Sequence, residues 1–287
     1  MKLKDLKNNL LPGFMKPPLN EKRNIEVLLN TIPRILYDHN KKIVLMWSAK
    51  AGCTFFCKWF FAQMNLLDAA LYYHQWVHFF REEVYYKSDS YTKNLHKVLN
   101  DDFKVIKIVR DPFARAVSSY IASLHQAANK EGLISHEKVK KELGKFLNRS
   151  LTADETFSFR EFVDYLTSID ILECDIHHRQ QLHPLEMEGV LTPSYILKLE
   201  ECEDALKRIE IEWNLKTTNF SLLKESPHNT RRESQSEFCG DRKFKWAPQP
   251  RFPDHRSFYD KNLVQKIADI YKMDFDAYGY NPDILLT

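Results

Sequence analysis

The sequence predicts an α/β fold in which a mainly parallel central sheet is flanked by helices. Two observations carry this. The runs "KKIVLMW" (41–47), "FKVIKIV" (103–109) and "YILKL" (195–199) have the length and apolar content of buried parallel strands. Each is followed by a helix-like segment, and that alternation is the signature of a parallel sheet.

The elements follow in order. Residues 1–35 read as an N-terminal arm, with an amphipathic helix from Asn24 to Asn30, and 36–287 as one domain. Cys53 to Asn65 is the helix after the first strand. In "FKVIKIVRDPFARAVSSYIASL" a second strand meets a helix at Pro112, whose missing N–H costs nothing at the first helical position, and the helix runs to about Leu124. Residues 126–150 are lysine-rich and read as an exposed helical insertion. "SFREFVDYL" opens with a capping box, Ser158 and Glu161. "PSYILKLEECEDALKRI" is the third strand and its helix. Residues 224–256 read as a long surface loop, and "SFYDKNLVQKIADIY" as a last helix opened by the Ser-x-x-Asp signal at Ser257.

Composition narrows the function. With 44% hydrophobic and 13% aromatic residues, a chain of 287 residues buries a sizeable core. A net charge of +3 argues against a general nucleic-acid binder. The five cysteines contain no Cys-x-x-Cys pair, against a disulfide framework or a structural zinc site. "MKLKDLKNNLLPGFMKPP" is broken by Pro12, Gly13, Pro17 and Pro18 and is no signal peptide. No run approaches the roughly 18–20 apolar residues of a membrane span. A soluble cytoplasmic protein is expected; the oligomeric state leaves no mark on the sequence.

Ligands of such sheets bind at the carboxyl ends of the strands. There, "SAKAGCT" offers a helix N-terminus for an anion, with Gly52 permitting close approach, a Thr54 hydroxyl and the Lys50 charge. It lacks the Gly-Lys-Ser/Thr ending of nucleoside triphosphatases. The same residues also suit an ordinary turn with a solvated lysine. At the second strand end, Arg110 offers a donor fork and Ser118, eight residues on, a hydroxyl. Arg110 equally suits a salt bridge with Asp111, and Arg115 the surface.

Together, "SAKAGCT" and "RDPFARAVSSY" resemble the cofactor motifs of sulfotransferases that use 3′-phosphoadenosine 5′-phosphosulfate (PAPS), closest to the carbohydrate branch. "TFSFREFVDYL", "DIHHRQQ", "ILKLEE", "SPHN" and "IYKMDFDAYGY" extend the resemblance from about Ile43 to Tyr280. It implies a P-loop-like sulfotransferase fold, with Lys50, Ala51, Gly52, Cys53 and Thr54 cradling the 5′-phosphosulfate and Arg110 with Ser118 binding the 3′-phosphate. It departs from the pattern at Ala49, where many members have proline, at Cys53, where many have Ser or Thr, and at Phe55, where Trp is common. Phe55 is a candidate to stack on the adenine or to join the core.

The implied activity is sulfuryl transfer to a hydroxyl, with a carbohydrate as the expected acceptor. Lipid or small-metabolite acceptors, and a non-catalytic nucleotide- or polyanion-binding module, are the alternatives. Lys50 would stabilise the departing phosphate, with no metal required. Among eleven histidines, His177 matches the family's histidine in "DIHHRQQ" and His178 follows it; both are candidate bases. Glu82 and Glu83 are carboxylate alternatives. Arg231 and Arg242, in the basic loop, are candidates to close over the nucleotide or steer an anionic acceptor, though they equally suit a solvated charged loop, and Tyr72, Tyr73, Trp76, Phe79 and Phe80 are candidates to line an acceptor groove or fill the core.

Overall fold

The computed structural model describes residues 21–100, 102–124, 134–151, 156–224, 231–233, 237–245 and 251–286, without the side chains of 21–24, 134–137 and 231–233. Four strands, β1 (Leu36–Asp38), β2 (Ile43–Met46), β3 (Lys104–Val109) and β4 (Tyr195–Lys198), form the sheet in the order β1-β2-β3-β4. β2, β3 and β4 are parallel, with Val44 opposite Val105 and Ile106 opposite Tyr195. β1 pairs antiparallel at the edge. Its three residues are too few to show a period of two in the sequence.

Every residue of β2 is buried, as is every residue of β3 except Lys104, which explains their near-continuous apolar runs. One core cluster joins these strands to the helices Cys53–Gln63 and Cys202–Glu212. A second lies among the helices Pro112–Leu124, Phe159–Thr167 and Lys261–Ile270.

The structure corrects several expectations. The first helix runs Glu21–Leu29, and Leu29 is buried against the core. The helix Ile134–Phe146 is not an exposed insertion, because Val139 and Leu143 are buried along one face. Within 224–256, β5 (Arg231–Glu233) pairs parallel with β6 (Arg251–Pro253). Phe244 and Phe252 are buried there, and Phe244 packs 5.5 Å from Phe258. Aromatic side chains thus pull part of that segment into the second cluster. The last helices are Lys261–Ile270 and Lys272–Tyr278. The cap of the former is Asp260, which accepts from the Leu263 N–H at 2.8 Å, whereas Ser257 lies in a preceding 3-10 turn.

Candidate active site

β2 delivers the chain into a loop that ends at Gly52, where the helix Cys53–Gln63 begins. Lys50 has φ 67° and Gly52 φ 78°, both left-handed. A Cβ on Gly52 would lie 2.6 Å from Leu199 Cδ1 and 3.3 Å from Phe56. Glycine is therefore required by conformation and by space. Ala49 and Ala51 are buried and anchor the loop on either side of half-buried Lys50. The N-cap residue, Gly52, has no side chain to cap the helix, and the first internal bond runs from the Phe56 N–H to the Gly52 carbonyl. The earlier amides of that turn point out of the N-terminus with the positive end of the dipole.

Arg110 follows β3 directly and turns back onto this loop, its Nη1 donating to the Lys50 carbonyl at 3.0 Å. The Gln181 side-chain amide clasps the Arg110 backbone, accepting from its N–H and donating to its carbonyl, both at 2.8 Å. Asp111 turns to the helix that follows, accepting from the Phe113 and Ala114 N–H groups. Ser118 is half-buried on that helix.

Arg115 is 1% exposed rather than a surface residue. Its Nε donates to the Ala49 carbonyl at 2.9 Å and its Nη2 to the Arg179 carbonyl at 2.6 Å. Behind it, Lys107 is buried and paired with Glu186 at 3.2 Å. The buried Asp274 accepts from the Gln181 and Leu182 N–H groups. The strand ends are thus fixed from below by a polar network that draws in the 174–186 segment.

His177 lies on that segment. Its Nδ1 is 2.7 Å from Asp175 Oδ1, and the pair is partly exposed. Burial opposes ionisation of Asp175, but the His177 hydrogen bond and charge outweigh it and hold the carboxyl below the usual range. His178 is 1% exposed, with Nδ1 2.6 Å from Ser119 Oγ and its ring edge-on to Phe162. It is a packing residue and presents no face to an acceptor.

The remaining candidates divide. Phe55 is half-buried, with its ring against Phe56 at 5.2 Å and Phe220 at 6.1 Å. Arg242 lies over the Phe244 ring, beside the second cluster, and the Arg231 side chain is outside the described residues. Glu82 is paired with Arg34 and Arg81, and Glu83 with Lys87. Phe80 is buried, Trp76 and Phe79 are partly buried, Tyr73 is exposed, and Tyr72 is 95% exposed.

Sequence reasoning missed His78. It is 7% exposed, and its Nε2 lies 3.0 Å from Thr54 Oγ1 and 3.8 Å from Cys53 Sγ. Nothing in "YYHQWVHFF" ties it to residue 54, because only the packing of the Val77–Phe80 turn on the helix Cys53–Gln63 brings them together.

An open concavity of about 710 Å³, lined by Lys140, Lys141, Lys145 and Arg149 among others, shares no residue with this site. Among the described residues no group of three or more His, Cys, Asp or Glu is arranged to hold a metal ion, and no helix is long and apolar enough to cross a membrane.

The sulfotransferase family model matches residues 33–281. No curated protein and no solved structure matches the chain. The family match takes in the whole central sheet, the Lys50 loop, Arg110, Ser118 and His177, and the chain belongs to the sulfotransferase family.

Proposed function

We propose that the protein transfers the sulfuryl group of PAPS to a hydroxyl of a carbohydrate, within an oligosaccharide, polysaccharide or glycolipid. One observation carries the reading: the Arg110 guanidinium donates to the Lys50 carbonyl at 3.0 Å, so two anion-seeking strand ends form one site. The residues present fit an anion. An uncapped helix N-terminus, a glycine where a Cβ finds no room, and an adjacent lysine make such a cradle.

The donor supplies an activated sulfuryl group on a phosphate leaving group. The amides of Gly52, Cys53 and Thr54 hold its 5′ end, and Arg110 with Ser118 recognises the 3′-phosphate. Lys50 supplies positive charge where negative charge develops as the phosphate departs. His177 accepts the acceptor's proton. Asp175 is ionised and takes the Nδ1–H, which leaves Nε2 as the proton acceptor. The five cysteines are all unpaired, which supports a reducing, cytoplasmic setting.

The test is thermal stabilisation by 3′-phosphoadenosine 5′-phosphate (PAP) against ATP with magnesium. Well above its dissociation constant PAP raises the melting temperature and ATP does so less. Equal or greater stabilisation by ATP overturns the reading of the donor.

A further inference from the structure

We propose that His78 is a positioning residue that turns the Thr54 hydroxyl toward the bound anion, and that it gains a proton as the anion binds. The inference rests on the PAPS reading of the loop and adds a residue and a proton to it.

Thr54 is the second residue of the uncapped helix, and its Oγ1 has His78 Nε2 at 3.0 Å. A hydroxyl has one proton to donate. If Nε2 accepts that proton, the hydroxyl turns toward the ring and presents only lone pairs to an anion. If Nε2–H donates to Oγ1, the Thr54 proton is released toward the helix N-terminus. An anion therefore selects the Nε2–H state of His78. It also selects the imidazolium over the neutral ring, because the cation keeps Nε2–H whichever proton it carries elsewhere and adds favourable charge.

The groups around the ring include a thiol and an indole. Cys53 Sγ is 3.8 Å away on the same helix, and the Trp76 ring is edge-on at 5.2 Å. Arg81, farther along the chain, is paired with Glu82 at 2.8 Å and lies over the Trp47 ring, beside Cys57.

The experiment is calorimetric titration of PAP into the full chain, in buffers of differing ionisation enthalpy, between pH 6 and 8. PAP binding by the unaltered protein establishes the donor reading on its own, and the His78 variants then test the inference. Proton uptake is expected, with affinity rising as the pH falls. His78→Gln keeps an N–H donor for Thr54, so it binds PAP within roughly threefold of the unaltered protein but shows less proton uptake. His78→Ala weakens PAP roughly 5- to 20-fold, the scale of a hydrogen bond to a charged group. In a Thr54→Val background the same His78→Ala change costs little further. The phosphate's own titration is common to all variants and cancels in the comparison. If His78→Gln shows the same proton uptake as the unaltered protein, or if His78→Ala costs as much with Thr54→Val as without it, the proposal is overturned while the donor reading stands. Melting curves of each variant confirm that the protein compared is folded.

Discussion

Arg115 donates its Nε–H to the Ala49 carbonyl at 2.9 Å, which makes a buried guanidinium the under-support of the Lys50 loop. The same side chain holds the Arg179 carbonyl, two residues past His177. A single fork therefore sets the loop that carries Lys50 against the segment that carries the candidate base. Burial also raises the carboxyl of Asp274, and Arg115 is the first of the influences that oppose it.

Arg115→Met is expected to cost about 3 kcal/mol or more of folding stability, because two carbonyls lose a donor and the buried Asp274 carboxyl loses one of its cations. Arg115→Lys restores the charge but not the fork, and recovers less than half of the loss. Urea denaturation at neutral pH measures both. A loss below about 1 kcal/mol for Arg115→Met would mean that water replaces the guanidinium, and that the side chain is no support.

Lys50 and Arg110 are expected to fail differently. Lys50→Ala lowers kcat by about 100-fold or more, on the scale of losing one group that stabilises developing charge, while PAP affinity changes only a few-fold. Arg110→Ala is expected to weaken PAP first, because it removes the proposed phosphate fork and also frees the Lys50 carbonyl that Arg110 holds. Steady-state kinetics with PAP titrations separate the two. A Lys50→Ala enzyme that keeps its full kcat removes the leaving-group role.

How much of this was legible in the sequence depends on the range of the interaction. β2 and β3 were readable because burial on both faces leaves few polar residues in a run, β4 from its apolar residues although only Leu197 is buried, and the Lys50 and Arg110 motifs because their spacing is local. β1 was too short to show a pattern. Ser257 was mistaken for a cap because Ser-x-x-Asp matches the signal, yet Asp260 stands one residue before the helix and takes the amide. Arg115 looked like a surface cation because nothing local distinguishes a buried arginine. Its acceptors, Ala49 and Arg179, lie 66 and 64 residues away. His78 was invisible for the same reason, since its partner lies across a helix and a turn.

Acid is expected to unfold the protein partly through His183. This ring is buried, with Nε2 donating to the Pro33 carbonyl at 3.1 Å and Nδ1 accepting from the Leu185 N–H at 3.1 Å. Both nitrogens are committed to the neutral form. Burial, and then the charge of Lys107, push the imidazole down to about 3. The unfolded chain takes up a proton near about 6.5, which the folded chain refuses until well below that. The contribution of His183 is therefore complete above the unfolded value and is lost as the pH falls from there toward the folded one. The slope approaches about 1.4 kcal/mol per pH unit inside that window. Asp175, held below its usual range, adds a second loss below the ordinary carboxylate value. Urea midpoints at pH 7.5, 6 and 5 measure the slope, and the difference between the unaltered protein and His183→Gln isolates the histidine from the buried carboxylates. His183→Gln is expected to be less stable at pH 7.5, because an amide whose oxygen and nitrogen both sit at the end of the side chain does not match the imidazole's reach to the Leu185 N–H and the Pro33 carbonyl together, and to lose less on acidification. Parallel curves for the two proteins across that range would assign the acid sensitivity elsewhere.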